Sequence, residues 1–313
     1  VMNNEIIKDK KGINVPGVSL DMPYLSDEDI KDIIFAIDND FDYIAASFVR
    51  KAADITDIRN ILEQHGGNDI HIIAKIENGE GVENIEEILV ASDGIMVARG
   101  DMGVEIDYNE LPRIQKMLIK KAMLHGKKSI TATQMLDSMI SKPRPTRAEI
   151  NDVANAIYDG TSAIMLSGET SIGKYPIESV CTMAKIARST ESSIHYKKRF
   201  RQMQLEESTT NITNAISHAT CTTAHDLNAA AIITVTKTGS TARMISKYRP
   251  ECPIIGGTPI ERVYRQLAMS WGVMPVLIEE KQNTDQLFEH VVDKAMETGL
   301  VQSGDLVVLT GGF

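Results

Sequence analysis

Short apolar runs rich in β-branched residues alternate with amphipathic helical stretches along most of this chain, and no other feature restricts its fold so severely. Strands separated by helices pair in parallel, because each helix carries the chain back to the same end of the sheet. The first runs are Asp42–Phe48, Ile70–Ile76, Gly94–Ala98, Ser129–Ala132 and Ala163–Leu166, with few polar interruptions, as in strands covered on both faces. Their regular spacing, one βα unit each, predicts an α/β fold: a partial (β/α)8 TIM barrel three strands short of closure.

The segments between these runs have helical spacing. Ile55, Ile58, Ile61 and Leu62 form one stripe that Gly66 stops. Pro112 suits a first turn ahead of Ile114, Met117 and Leu118, and Gly126 ends that helix. Pro143 and Pro145 delay the next helix until Thr146 and Glu149 form a capping box before Val153, Ala154 and Ile157. The helix beginning near Pro176 is expected to bury Ile177, Val180 and Ala187.

Residues 1–17 break the rhythm with turn chemistry, Lys10-Lys11-Gly12 and then Asn14 to Gly17, and read as the tail of an inserted domain rejoining the barrel, which the family resemblance given below makes a lid domain. Ser26 then caps a helix through Ile30, Ile33 and Ile34, opening a barrel domain over 18–195. A polar stretch from His195 to Thr210 separates a second α/β region, 196–313, whose strands are Ala231–Val235, Pro253–Ile255, Pro275–Ile278 and Leu306–Leu309 in a mainly parallel sheet. Val1 is no initiator and Phe313 directly follows a strand-like run, so a fragment cut at both ends is expected.

Composition narrows the function classes. The longest apolar stretches, such as Ala229–Val235, are far too short for a bilayer span. With 33 basic against 43 acidic side chains the net charge is −10, which repels nucleic acid. The nearest basic run, Lys197, Lys198, Arg199 and Arg201, reads as a solvated linker. Any anionic substrate must therefore meet locally placed cations. Cys181, Cys221 and Cys252 lack C-x-x-C spacing and read as packing residues in a reducing cytoplasm. The seven histidines show no zinc-binding spacing.

In βα barrels the reactive groups come from the carboxyl ends of the strands. Here that set includes Ser47, Arg50, Lys75, Glu77, Arg99, Gly100, Asp101, Thr133, Gln134 and the string Ser167 to Thr170. Lys75 and Glu77 are two apart on a strand and share a face. Asp101 on the next strand can join Glu77 as a second carboxylate around a magnesium ion, although the three could equally be a salt bridge network capping the strands. Gly100 permits close approach of an anion or marks a plain βα turn, and Thr133 offers a hydroxyl or is simply a strand residue. Ser167, Glu169 and Thr170 are supporting or turn residues. In the second region, Thr236-Lys237-Thr238-Gly239-Ser240-Thr241 follows a strand and opens a helix at about Ala242, a cradle for one phosphate or a plain turn capped by Thr241.

Several strings, in order and at the family's spacing, resemble pyruvate kinase. They are Ala74 to Asn78 (AKIEN), Met96 to Asp101 (MVARGD), Ala132 to Leu136 (ATQML), Lys142 to Glu149 (KPRPTRAE) and Ile164 to Thr170 (IMLSGET). The resemblance implies a glycolytic phosphotransferase that passes the phosphoryl group of phosphoenolpyruvate to ADP, giving pyruvate and ATP. It implies Mg2+ or Mn2+ on Glu77 and Asp101, and K+ whose ligands are expected upstream. It places phosphoenolpyruvate on Lys75, Gly100, Asp101 and Thr133, and nucleotide phosphates near Lys11. Lys75 and Thr133 become the catalytic residues, with the enolate proton coming from Lys75 or from water beside Thr133. A phosphorylated allosteric effector falls to Thr236, Lys237, Thr238, Gly239, Ser240 and Thr241. A cytoplasmic homotetramer is implied, as is an inactive isolated fragment. A metal-dependent barrel lyase acting on pyruvate or oxaloacetate, and an effector-binding module, remain alternatives.

Overall fold

The computed structural model describes residues 16–17, 22–206 and 212–312. Its first sheet contains β1 (Tyr43–Ala46), β2 (His71–Ile76), β3 (Gly94–Ala98), β4 (Lys128–Ala132) and β5 (Ala163–Met165), adjacent in chain order and all parallel. Lys75 is in register with Met96, and Ala98 with Ala132, so successive strands deliver their carboxyl ends to one rim. Gly94 begins β3 because a Cβ there would lie 2.8 Å from the Lys128 carbonyl oxygen.

Side chains alternate across this sheet with period two. Ile72, Ala74, Ile76, Ile95 and Val97 face outward into the main core beneath the helices Ala52–Gln64, Ile85–Ala91 and Leu111–Leu124. Ile73, Met96, Ala98, Ile130 and Ala132 form the inner layer. Burying each isoleucine contributes about 1.5–3 kcal/mol, so the apolar runs are committed on both faces. The helix Asp27–Asp38 has the expected Ser26 cap, closed by Asp29 into a capping box, and Thr146 with Glu149 caps Arg147–Asp159 in the same way.

The second sheet, β6 (Ala231–Thr236), β7 (Ile254–Thr258), β8 (Val273–Leu277) and β9 (Val307–Gly312), has the order β8-β7-β6-β9 and is wholly parallel among the described residues. It meets the amino-terminal face of the first sheet, opposite the rim. Tyr43 donates its hydroxyl to the Gln266 carbonyl at 2.6 Å, Gln266 Nε2 donates to the Asp69 carbonyl at 2.8 Å, and Arg265 pairs with Asp42 at 2.8 Å.

Three expectations are corrected. The basic run 197–201 is not a solvated linker but part of a helix, Tyr196–Glu206, whose Tyr196, Phe200 and Met203 are buried at helical spacing. In the helix Pro176–Glu191 it is Ser179, Met183 and Thr190 that are buried, while Ile177 and Val180 are exposed; the packed face turns toward Arg147–Asp159 and leaves those two on its far side. Cys221 is a packing residue, but Cys181 is exposed on that same outer side. Lys11 and the rest of the expected lid tail lie outside the described residues, apart from the turn at Pro16 and Gly17.

At the junction, His71 Nδ1 lies 3.3 Å from Lys128 Nζ, and its ring packs edge-on against Tyr43. Burial, then the Lys128 ammonium, holds its imidazole well below the usual value; Arg243 and Arg59 act in the same direction and Asp93 opposes them. Below about pH 6.5 the unfolded chain therefore binds a proton at this histidine that the folded chain refuses. Stability is expected to fall as the pH drops below that value, read as the urea midpoint between about pH 7 and 5, and His71→Phe is expected to flatten the fall.

Candidate active site at the carboxyl rim of the barrel sheet

The end of β2 carries the central pair. Glu77 is fully buried, and its Oε2 accepts the Phe48 backbone N–H at 2.6 Å. Its Oε1 lies 2.8 Å from Lys75 Nζ, an ion pair outside hydrogen-bond geometry. The ammonium also donates to Ser47 Oγ at 2.8 Å, and the Lys75 side chain, 24 % exposed, reaches the open rim. Burial pushes the Glu77 carboxyl up, against the pull of Lys75 and the Phe48 N–H; the Asp101 charge pushes it further in the same direction.

Asp101 lies in the first turn of the helix Arg99–Glu105, half-buried, where its field acts on Glu77. The sequence-predicted trio is thus brought together. The donor set suits a hard divalent cation: two carboxylates, one with a buried oxygen lacking any hydrogen-bond donor. Among the described residues no group of three or more His, Cys, Asp or Glu gathers, so further ligands of such an ion fall to water and substrate oxygens.

Thr133 and Gly100 also meet. The Gly100 N–H donates to Thr133 Oγ1 at 2.8 Å, and that hydroxyl donates to the Ala132 carbonyl at 2.6 Å. Thr133 and Gln134 both have positive φ, 72° and 54°, and Phe48 has 52°. Side chains with a Cβ hold such angles at a cost of about 1–3 kcal/mol each, and only where their surroundings impose them. All three follow β1 or β4 at the rim.

Sequence reasoning assigns no task to Arg99, yet it braces this turn. Its Nη2 donates to the Thr133 carbonyl at 2.6 Å and its Nη1 to Asp152 at 2.7 Å. Its place directly after β3 was the available signal. Glu169 is more than turn chemistry: buried, it accepts the backbone N–H groups of Leu136 at 3.0 Å and Ser167 at 2.8 Å, tying the loop after β4 to that after β5. A cavity of about 1080 Å³ opens beside Ser47 and Phe48 and runs along Tyr43 to Ala46, between β1 and the helix Asp27–Asp38; among the described residues the five-stranded sheet ends at β1 and does not close on itself.

The loop from Thr236 to Thr241 lies apart, at the end of β6. The following helix, Ser240–Lys247, opens after Gly239 rather than near Ala242, so Thr241 is inside it and is not its cap. Gly239 has φ 76°, a left-handed angle that glycine holds without strain, and a Cβ there would displace the Arg243 guanidinium, whose Nη1 would lie 2.6 Å away. Thr236 is buried, whereas Lys237, Thr238 and Ser240 face solvent; Lys237 pairs with Glu280 at 3.0 Å.

Comparison with known proteins agrees with this architecture. The family model for the pyruvate kinase barrel domain matches residues 1–180, and that for the pyruvate kinase alpha/beta domain matches 214–313. The pyruvate kinase of Clostridium acetobutylicum is 54 % identical over 312 residues, covering 100 % of this chain and 66 % of its own length. That of Geobacillus stearothermophilus is 53 % identical over 312 residues, with 53 % of its length covered, and that of Bacillus licheniformis 52 % identical over 316, again with 53 % covered. The chain spans between about half and two thirds of the length of these curated relatives. Two sheets in the order the family requires, a rim that gathers its motif residues, and matches over nearly the whole chain make this a member of the pyruvate kinase family.

Proposed function

We propose that this chain supplies the catalytic rim and the regulatory unit of a pyruvate kinase, which transfers the phosphoryl group of phosphoenolpyruvate to ADP and yields pyruvate and ATP. One observation carries the reading: a rim-reaching ammonium 2.8 Å from a fully buried carboxylate at the end of β2, with the charge of Asp101 acting on that carboxylate. Phosphoryl transfer asks a protein mainly for positioning and for positive charge at the equatorial oxygens, and this arrangement offers both.

In this reading Lys75 faces the transferring phosphoryl group and the enolate oxygen. Ser47 and Glu77 hold its ammonium in place, which limits the reorganisation needed when charge develops. Glu77 and Asp101 would hold Mg2+ or Mn2+, which when bound would supply Lewis-acid stabilisation of developing negative charge. Gly100, Asp101 and Thr133 line the phosphoenolpyruvate site. The Thr133 hydroxyl is engaged by Gly100 and Ala132, which favours a role in orienting water over direct proton donation. Lys11 serves the nucleotide phosphates, K+ accompanies the divalent ion, and Thr236 to Thr241 take a phosphorylated effector. The working form is a cytoplasmic homotetramer with 1–17, 18–195 and 196–313 as lid tail, barrel and regulatory unit.

In a protein carrying the closed barrel, Lys75→Ala is expected to lower kcat by about 10²–10³-fold with a much smaller change in KM, because its charge is needed most in the transition state. Equal losses in kcat and in substrate binding would argue against that role. The 313-residue chain alone, whose first sheet has five strands and does not close among the described residues, is expected to form no ATP above background in a coupled assay. Ser240→Ala is expected to shift the effector activation curve to higher concentration while basal turnover stays constant; an unchanged curve removes the loop from the effector site.

A further inference from the structure

At the junction of the two units, five cations, Lys127, Lys128, Arg243, Lys247 and Arg249, line a cavity of about 10 Å³, and no acidic side chain lines it among the described residues. The space suits one water molecule or one monatomic ion. Its walls come from both sides: Lys127 and Lys128 from the amino-terminal end of β4, and Arg243, Arg249 and Ser270 from the second unit.

Arg249 is 3 % exposed, and every partner it has among the described residues is neutral. Its Nη1 donates to the Ser246 carbonyl at 2.6 Å and to Ser246 Oγ at 3.2 Å. Its Nη2 donates to the Gly160 carbonyl and to Ser162 Oγ, both at 3.1 Å, and the guanidinium lies 5.2 Å from the centre of the Trp271 ring. Arg249 Nε is buried with no hydrogen-bond partner, and so is Ser270 Oγ, also on the cavity wall. Asp93, whose charge acts on Lys127, Lys128 and Arg243, is engaged by Arg59 and by the Ile72 N–H.

A buried cation without a counter-charge is expensive, and a neutral water would satisfy the two idle donors while leaving that charge in place. A lysine can respond by losing its proton, and burial pushes Lys128 down to about 7. A guanidinium stays charged. An anion answers both needs at once.

We propose that this cavity binds a chloride-sized inorganic anion between Arg249 Nε and Ser270 Oγ, and that the anion fastens the second unit to the amino-terminal face of the barrel sheet. The site is separate from the catalytic rim and from the loop after β6, and does not depend on the proposed activity. A ligand that binds only where both units are docked stabilises the docked state by mass action.

The test compares thermal unfolding of the 313-residue chain in sodium bromide and in sodium gluconate at equal ionic strength. Gluconate is too large for the cavity. Bromide is expected to raise Tm by about 2–4 °C at saturation. Ser270→Ala, which leaves every cation in place, is expected to lose most of that rise. Crystals grown in bromide are expected to show an anomalous scattering peak in contact with Arg249 Nε. Equal Tm values in the two salts would overturn the proposal, as would a bromide gain that Ser270→Ala keeps in full, or crystals with no bromide peak in this cavity.

Discussion

The rim is organised around the burial of one carboxylate. Taking a charged group out of water costs several kcal/mol unless other groups replace its hydration. For Glu77 those groups are the Lys75 ammonium and the Phe48 N–H, and the latter can reach only because Phe48 adopts a left-handed backbone. The end of β1, the end of β2 and the Lys75 side chain are thereby held in one arrangement. Lys75 bridges Glu77 and Ser47 and keeps its ammonium at the surface, where a ligand can use the charge that the carboxylate only partly neutralises.

A second arrangement of the same kind holds the loops after β3, β4 and β5. Arg99 fastens the Thr133 carbonyl and Asp152, and Glu169 fastens the N–H groups of Leu136 and Ser167. These contacts keep Thr133 and Gln134 in conformations they would otherwise leave, and they aim the Thr133 hydroxyl at Gly100. Hydrogen bonds to a buried charge are worth about 1.5–3 kcal/mol each, enough to offset the backbone strain.

The two faces of the barrel sheet divide the work. Carboxyl ends carry the charged pair and the strained turns, whereas amino ends carry the attachment of the second unit. That attachment is polar and cationic: Tyr43 to Gln266, Arg265 to Asp42, Arg249 to Gly160 and Ser162. Arg243 links the regions, since its Nη1 donates to the Thr238 carbonyl of the loop after β6 while its charge acts on His71, Lys127 and Lys128 at the foot of the barrel.

Much of this is legible in the amino-acid sequence alone. Strand and helix positions follow from local periodicity, because an apolar residue every second position on a strand, or every third and fourth on a helix, has only one way to be buried. The pairing of Lys75 with Glu77 follows from the two-residue repeat of β2. Which face of a helix finds a partner is a different matter: Ile177 and Val180 look as suitable for burial as Met183, and only the placement of Arg147–Asp159 selects among them. The tasks of Arg99 and Glu169, the left-handed turns at Phe48 and Thr133, and the cations gathered against Arg249 depend on groups far apart in the chain. Local sequence determined the elements and the chemistry each could present. Tertiary structure decided which charges are buried and what they meet, because desolvation and pairing are properties of the assembled neighbourhood and not of any one segment.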